Sequence, residues 1–240
     1  MRRDLVELLR GNPYPGRGIV IGCSEDGKRI VIVYFIMGRS ENSRNRIFVK
    51  TDDGVRTAAF DPSKMIDPSL IIYHPVRRVD SKIIVTNGDQ TETIIDHLDS
   101  GSDFRAALLT REFEPDPPLY TPRISGLVEP GGGYTLSILK TMAGDPAECQ
   151  RCFYEYSGKI PGLGHFISTY ETDGDPPPSF AGEPVPVRIT YNGSLDTFSS
   201  EIWNSLSDVN KVSLYAMECD VSGSNVKDLI INKHIPGGAK

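Results

Sequence analysis

The chain has 240 residues with 38% hydrophobic and 24% charged content, the composition of an ordinary globular protein with room for a sizeable core. Its formal net charge of −6 excludes a general nucleic-acid or membrane-surface binder, which needs a broad basic face. An anionic ligand must therefore be held by a local cluster of donors.

Taken in order, "MRRDLVELLRGNPYPG" predicts a short amphipathic helix ending at Gly11; acidic Asp4 and Glu7 interrupt its basic start, so it is not read as a signal peptide. "GIVIGCSEDGKRIVIVYFIMG" predicts a β-hairpin about Asp26-Gly27, and its second run shows little alternation, so both of its faces should be covered. The stretch "GRSENSRNR" that follows gathers Arg39, Arg44 and Arg46 among Ser and Asn donors. Guanidinium groups match phosphate oxygens in pairs, which makes this cluster the best anion site in the chain. "RIFVK" and "VRTAAF" predict a second hairpin about Asp52-Asp53-Gly54, and "SLIIYHPVRRV" with "SKIIVTNG" a third about Asp80.

Helices come next. Ile94, Ile95 and Leu98 give one apolar face, Phe104, Leu108 and Leu109 another, with a break at Asp99-Ser100-Gly101. Asp89 followed by Glu92 reads as a capping box, and a helix start also offers free backbone amides to a ligand. Beyond the Pro-rich "EPDPPLYTPR", strands resume in "RISGLVE", "GYTLSILKT", "CFYEYSG" and "GHFISTYE". "TDGDPPPSFAGEPVP" reads as a surface loop, then come strand "VRITY", a helix with Phe198, Ile202 and Leu206 on one face, and strands "KVSLYAMECD" and "DLIINKH".

Strands therefore outnumber helices, and the helices fall in blocks instead of alternating with strands. That pattern predicts an α+β fold of two stacked, largely antiparallel sheets with helices outside, in one domain over 1–240. The four cysteines form no disulfide framework, which predicts reduced thiols and a cytoplasmic location. "CQRC" at 149–152 has metal-site spacing but no second ligand pair, and it reads as part of a strand; no metal is expected.

The stretches "YPGRGIVIG…YFIMGRSENSRNR", "LIIYHPVRRV…IVTNGDQTETI", "LYTPRISG" and "FISTYE", in that order, resemble the archaeal-type IMP cyclohydrolases over about residues 14–171. The resemblance implies a four-layer αββα sandwich like the N-terminal-nucleophile (Ntn) hydrolases. It also implies ring closure of 5-formamidoimidazole-4-carboxamide ribotide to inosine monophosphate, with loss of water and no cofactor. In that reading Arg39 and Arg46, with Asn45, grip the phosphate or line the base pocket, and Tyr73 contacts the base or relays a proton. Asn87, Gly88, Asp89 and Thr91 orient the reacting groups, Arg123 stabilises negative charge, and Glu171 beside Tyr170 does acid/base work. The expected partner is a purine ribonucleotide, with sheet edges available for a homo-oligomer. The segment 1–12 and the loop 172–185 are additions to the family's compact form, and they leave room for a purine-nucleotide-binding paralogue without the cyclisation.

Overall fold

A computed structural model describes residues 2–65, 68, 70–158 and 160–234. In chain order the elements are β1 (Arg3–Asp4), α1 (Leu5–Arg10), β2 (Arg17–Cys23), β3 (Arg29–Met37), α2 (Glu41–Arg44), β4 (Arg46–Thr51) and β5 (Gly54–Ala59). They continue with β6 (Val76–Val79), β7 (Lys82–Thr86), α3 (Gln90–Asp99), α4 (Phe104–Leu109), β8 (Arg123–Val128), β9 (Tyr134–Met142) and β10 (Asp145–Tyr156). The last are β11 (Leu163–Ser168), β12 (Val185–Arg188), α5 (Leu195–Ser205), β13 (Lys211–Asp220) and β14 (Lys227–Asn232).

The strands form two seven-stranded sheets, ordered β1-β12-β11-β2-β3-β13-β14 and β10-β9-β8-β7-β6-β5-β4. Period-2 alternation sorts their side chains. Ile19, Ile21, Ile32 and Tyr34 of the first sheet meet Val85, Ile124 and Leu136 of the second in a shared core. The intervening Val20, Val31, Val33 and Phe35 point the other way, onto Leu5 and Leu9 of α1 and Phe198 and Ile202 of α5. Ile84, Leu127 and Leu139 carry the second sheet's outer face, covered by Ile94 of α3 and Phe104 and Leu108 of α4. The fold is thus α+β, two sheets face to face with helices on the outer faces, as the uninterrupted apolar run of β3 requires. At one edge Asn232 ties the sheets together: its amide donates to Phe48 O at 3.0 Å and accepts from Phe48 N at 2.8 Å. No helix among the described residues is long and apolar enough to cross a membrane.

Several expectations shift. "SLIIYHPVRRV" contributes only Val76–Val79 as strand. Ahead of it, Thr57 replaces ladder bonds, its hydroxyl donating to Ile71 O at 2.6 Å and accepting from Tyr73 N at 2.9 Å. The strand read as "VRITY" begins earlier, because Val185 and Pro186 of the expected loop pair with β11. Leu109 ends α4 with 52% of its surface exposed, off the apolar face assigned to it.

Candidate active site

Register gathers several strand ends at one end of the sandwich. Arg17 opens β2 opposite Ile36 near the end of β3, and Gly18 pairs with Ser168 at the end of β11. In the other sheet Thr86, closing β7, faces Ser125 beside Arg123 at the start of β8. Here lies a cavity of about 250 Å³ lined by Tyr14, Arg17, Arg39, Arg46, Glu114 and Tyr170, with Asp116 and Thr121 in its wall. A larger groove of about 570 Å³ on the second sheet's outer face gathers no comparable set of buried charges.

The arginine cluster divides its labour. Ser40 caps α2 by accepting from Ser43 N at 3.1 Å, so one helical turn lies between Arg39 and Arg46. Arg46 then enters β4 fully buried. Its Nε donates to Ser43 O at 2.8 Å, while Nη1 and Nη2 have no partner among the described residues. Burial, and then the charge of Arg17, push its value below the ordinary arginine range. An uncompensated buried cation costs several kcal/mol, of order 3–5, so the arrangement favours an anion brought from outside. Arg44 is structural, donating to Gly38 O and to Asn210 Oδ1. Arg39 sits at the rim, 4.9 Å above the Tyr14 ring, donating to Asp173 Oδ1 at 2.8 Å and Gly174 O at 2.6 Å.

Opposite the arginines stands Glu114, a residue the sequence reading did not select. It follows α4 in the Pro-rich run, is 2% exposed, and its carboxylate accepts from Asn87 Nδ2 at 3.5 Å. Burial raises its value to about 7, against the pull of Arg17 and Arg123 and with the help of Asp116. In turn, burial opposes the charge on Arg17, but Glu114 together with Tyr170, Tyr14 and Tyr73 more than offsets it and Arg17 ends above its ordinary range. A carboxyl that exchanges its proton near neutrality is the group acid/base chemistry uses.

Asn87 is braced for this contact: it donates to Pro122 O at 2.9 Å and accepts from Ile124 N at 2.8 Å and Gln90 Nε2 at 3.0 Å. Asp89 stands at the start of α3 yet makes no side-chain cap, so the expected capping box does not form. Its carboxylate instead accepts from Arg123 Nη1 at 2.6 Å and from Arg111 Nη2 at 2.5 Å. Arg123 Nη1 also donates to Gln90 Oε1 at 2.8 Å, and its buried Nε is unpartnered among the described residues. Gly88 is required by this crowding, since a Cβ there would lie 2.6 Å from Arg123 Nη1 and 2.7 Å from Gln90 Oε1. Thr91 is buried and donates to His74 O at 2.7 Å, bracing the turn from within.

Tyr73 and Tyr34 share a hydrogen bond of 2.8 Å between their hydroxyls. The Tyr170 hydroxyl lies 2.9 Å from Thr121 Oγ1, and its ring stacks on Tyr14 at 5.8 Å. Of the selected residues, Arg39, Arg46 and Tyr170 line the cavity; the others, Asn45 and Glu171 among them, lie outside its lining. The Asn45 amide turns to the Asp61 backbone, donating to its O and accepting from its N at 2.8 Å each. Glu171 has an exposed side chain, and its backbone N donates to Pro178 O at 2.9 Å. Cys149 and Cys152 both lie in β10 but pack on opposite faces, one with the α3–α4 cluster and one with the inter-sheet core.

The family of the IMP cyclohydrolase-like protein has a model that matches residues 14–223. Among curated relatives, an IMP cyclohydrolase of Methanopyrus kandleri is 37% identical over 115 residues, 47% of this chain and 57% of that protein. An IMP cyclohydrolase of Methanothrix thermoacetophila is 28% identical over 173 residues, 70% of this chain and 80% of the relative. One of Methanococcus aeolicus is 29% identical over 162 residues, 66% and 74% of the two chains. The match to the Methanopyrus protein thus spans little more than half of that protein's length.

Proposed function

This chain belongs to the IMP cyclohydrolase-like protein family, and from that premise we propose that it closes 5-formamidoimidazole-4-carboxamide ribotide to inosine monophosphate. In this reading the two sheets and outer helices are the four-layer αββα sandwich of the Ntn-hydrolase class, in one domain, acting in the cytoplasm. The observation that carries the function is the pairing of Arg46, buried with two unpartnered terminal nitrogens, with Glu114, whose value lies at about 7, in one cavity.

The chemistry is intramolecular: the carboxamide nitrogen attacks the formyl carbon, so much of the barrier lies in holding the two groups face to face. Arg46 and Arg39 take the phosphate, and the stacked Tyr14 and Tyr170 give the base an aromatic wall. Ionised Glu114 accepts the proton that the carboxamide nitrogen loses on attack and passes it to the formyl oxygen, which becomes a hydroxyl. Ionised again, Glu114 takes the hydrogen that the formamido nitrogen loses as the C=N bond forms and hands it to the hydroxyl, which departs as water. Arg123 and Asn87 place Glu114, and Arg123 offsets negative charge as it develops on the formyl oxygen. Glu171, exposed at the edge, yields the acid/base role to Glu114, and Asn45 and Thr91 act as braces for the residues beside them. Tyr73, hydrogen-bonded to Tyr34, contributes a phenol within the field of Arg17 and Arg46.

The test is direct. Purified protein incubated with the formamido ribotide should generate the purine absorbance with one water lost per turnover, and Arg46→Met should bind the ribotide about a hundredfold more weakly. Absence of product in the wild-type protein would remove the reading.

A further inference from the structure

Three hydroxyl and carboxyl groups in the cavity wall form a chain whose proton order can be assigned. Thr121 N donates to Asp116 Oδ1 at 2.7 Å, and Thr121 Oγ1 lies 2.5 Å from Asp116 Oδ2. Thr121 Oγ1 also lies 2.9 Å from the Tyr170 hydroxyl. An ionised carboxylate only accepts, and a threonine hydroxyl has one proton to give. The short contact to Asp116 is of charge-assisted length, so Thr121 spends its proton there. Its oxygen must then accept from Tyr170. Burial pushes the Tyr170 phenol above its ordinary range, so it keeps the proton it gives.

We infer that Asp116, acting through Thr121, fixes the Tyr170 hydroxyl as a hydrogen-bond acceptor for one N–H of the substrate carboxamide. This rests on the cyclisation reading above. The phenol proton points at Thr121, so the remaining lone pair of the Tyr170 oxygen can take only a donor. Arg17, Arg39 and Arg46 supply the cavity with donors, which suit a phosphate or carbonyl oxygen; the Tyr170 oxygen suits what they cannot hold. Of the two reacting groups, the carboxamide is the one with two hydrogens on its reacting nitrogen. The hydrogen held by Tyr170 is the one that nitrogen keeps in the product, and the other is the one it loses. Asp116 and Thr121 are therefore positioning residues, and Tyr170 selects an amide over an isosteric group with no N–H.

In Asp116→Asn the new side-chain amide can donate to Thr121 Oγ1, which turns the threonine proton toward Tyr170 and the phenol proton into the cavity. The test measures, by calorimetry, binding of the aminoimidazole carboxamide ribotide and of its methyl ketone, uncharged and isosteric but with no N–H. A site built to accept an N–H should favour the carboxamide by about tenfold or more in the wild-type protein. Asp116→Asn and the charge-neutral Thr121→Val should bring that preference to about twofold or less, and Thr121→Ser should restore it. If both variants remain folded and keep the wild-type preference, Asp116 only braces its loop and the inference falls. If the wild-type protein binds neither ribotide and forms no purine, the cyclisation reading falls first and takes this inference with it.

Discussion

The side-chain amide of Asn87 donates to the Glu114 carboxylate across 3.5 Å, joining the turn after β7 to the loop after α4. Glu114→Gln keeps the shape and removes the proton exchange. Turnover should fall about a hundredfold or more, within the range general acid/base groups contribute. Glu171→Gln, changed at an exposed position, should stay within about twofold of the wild-type rate. Steady-state kinetics on the two variants separates the two carboxylates.

Glu114 also links stability to pH. Its value of about 7 in the fold exceeds the ordinary 4.5, so the folded state holds the extra proton between those limits. Stability from this group is full below pH 4.5 and declines as pH rises through about 7, by on the order of 3 kcal/mol. His165 runs the opposite way: burial lowers its value from 6.5 to about 4, so the unfolded chain binds more protons and stability rises with pH over that window. Wild-type stability should be comparatively flat from pH 4.5 to 6.5, whereas Glu114→Gln should show a clear rise. Denaturant titrations at several pH values check the sign.

Arg46 is a second case where function opposes stability. Replacing a buried, unpaired cation with an apolar side chain of similar length removes a desolvation cost. Arg46→Met should melt at or above the wild-type temperature while losing ribotide binding. Inorganic phosphate should raise the wild-type melting temperature and leave that of Arg46→Met unmoved.

Gly88→Ala tests the packing of the site without touching a charge. The added methyl would lie 2.6 Å from Arg123 Nη1 and 2.7 Å from Gln90 Oε1, so Arg123 must shift. A misplacement of about 1 Å costs near a hundredfold in rate. The variant should fold, with intact far-UV circular dichroism, and cyclise at a small fraction of the normal rate.

Much of the scaffold was legible because it is local. Asp26-Gly27 announced its hairpin, and Gly27 has φ of 73°, a conformation open to glycine. The run 30–37 announced a strand buried on both faces, and each of its residues is buried. Arg39, Arg46 and Tyr170 stood out as a donor cluster and a strand-end aromatic, and all three line the cavity. Arg17 and Glu114 did not stand out, because neither has a local signature. Glu114 precedes Pro115 in a stretch that reads as a connector, and only sheet-on-sheet packing brings it opposite Arg17. Asp89 misled for the converse reason: the sequence pattern of a cap was present, but two arginines remote in sequence outcompete the backbone amide for its carboxylate.

The most direct measurement is single-turnover conversion of the formamido ribotide at pH 8, where Glu114 is largely ionised, in the wild-type protein and in Glu114→Gln. The account predicts inosine monophosphate from the wild type and a rate about a hundredfold or more lower in the variant, with ribotide binding retained. Equal rates in both proteins would take Glu114 out of the chemistry, and no product from either would contradict the assignment of cyclisation to this cavity.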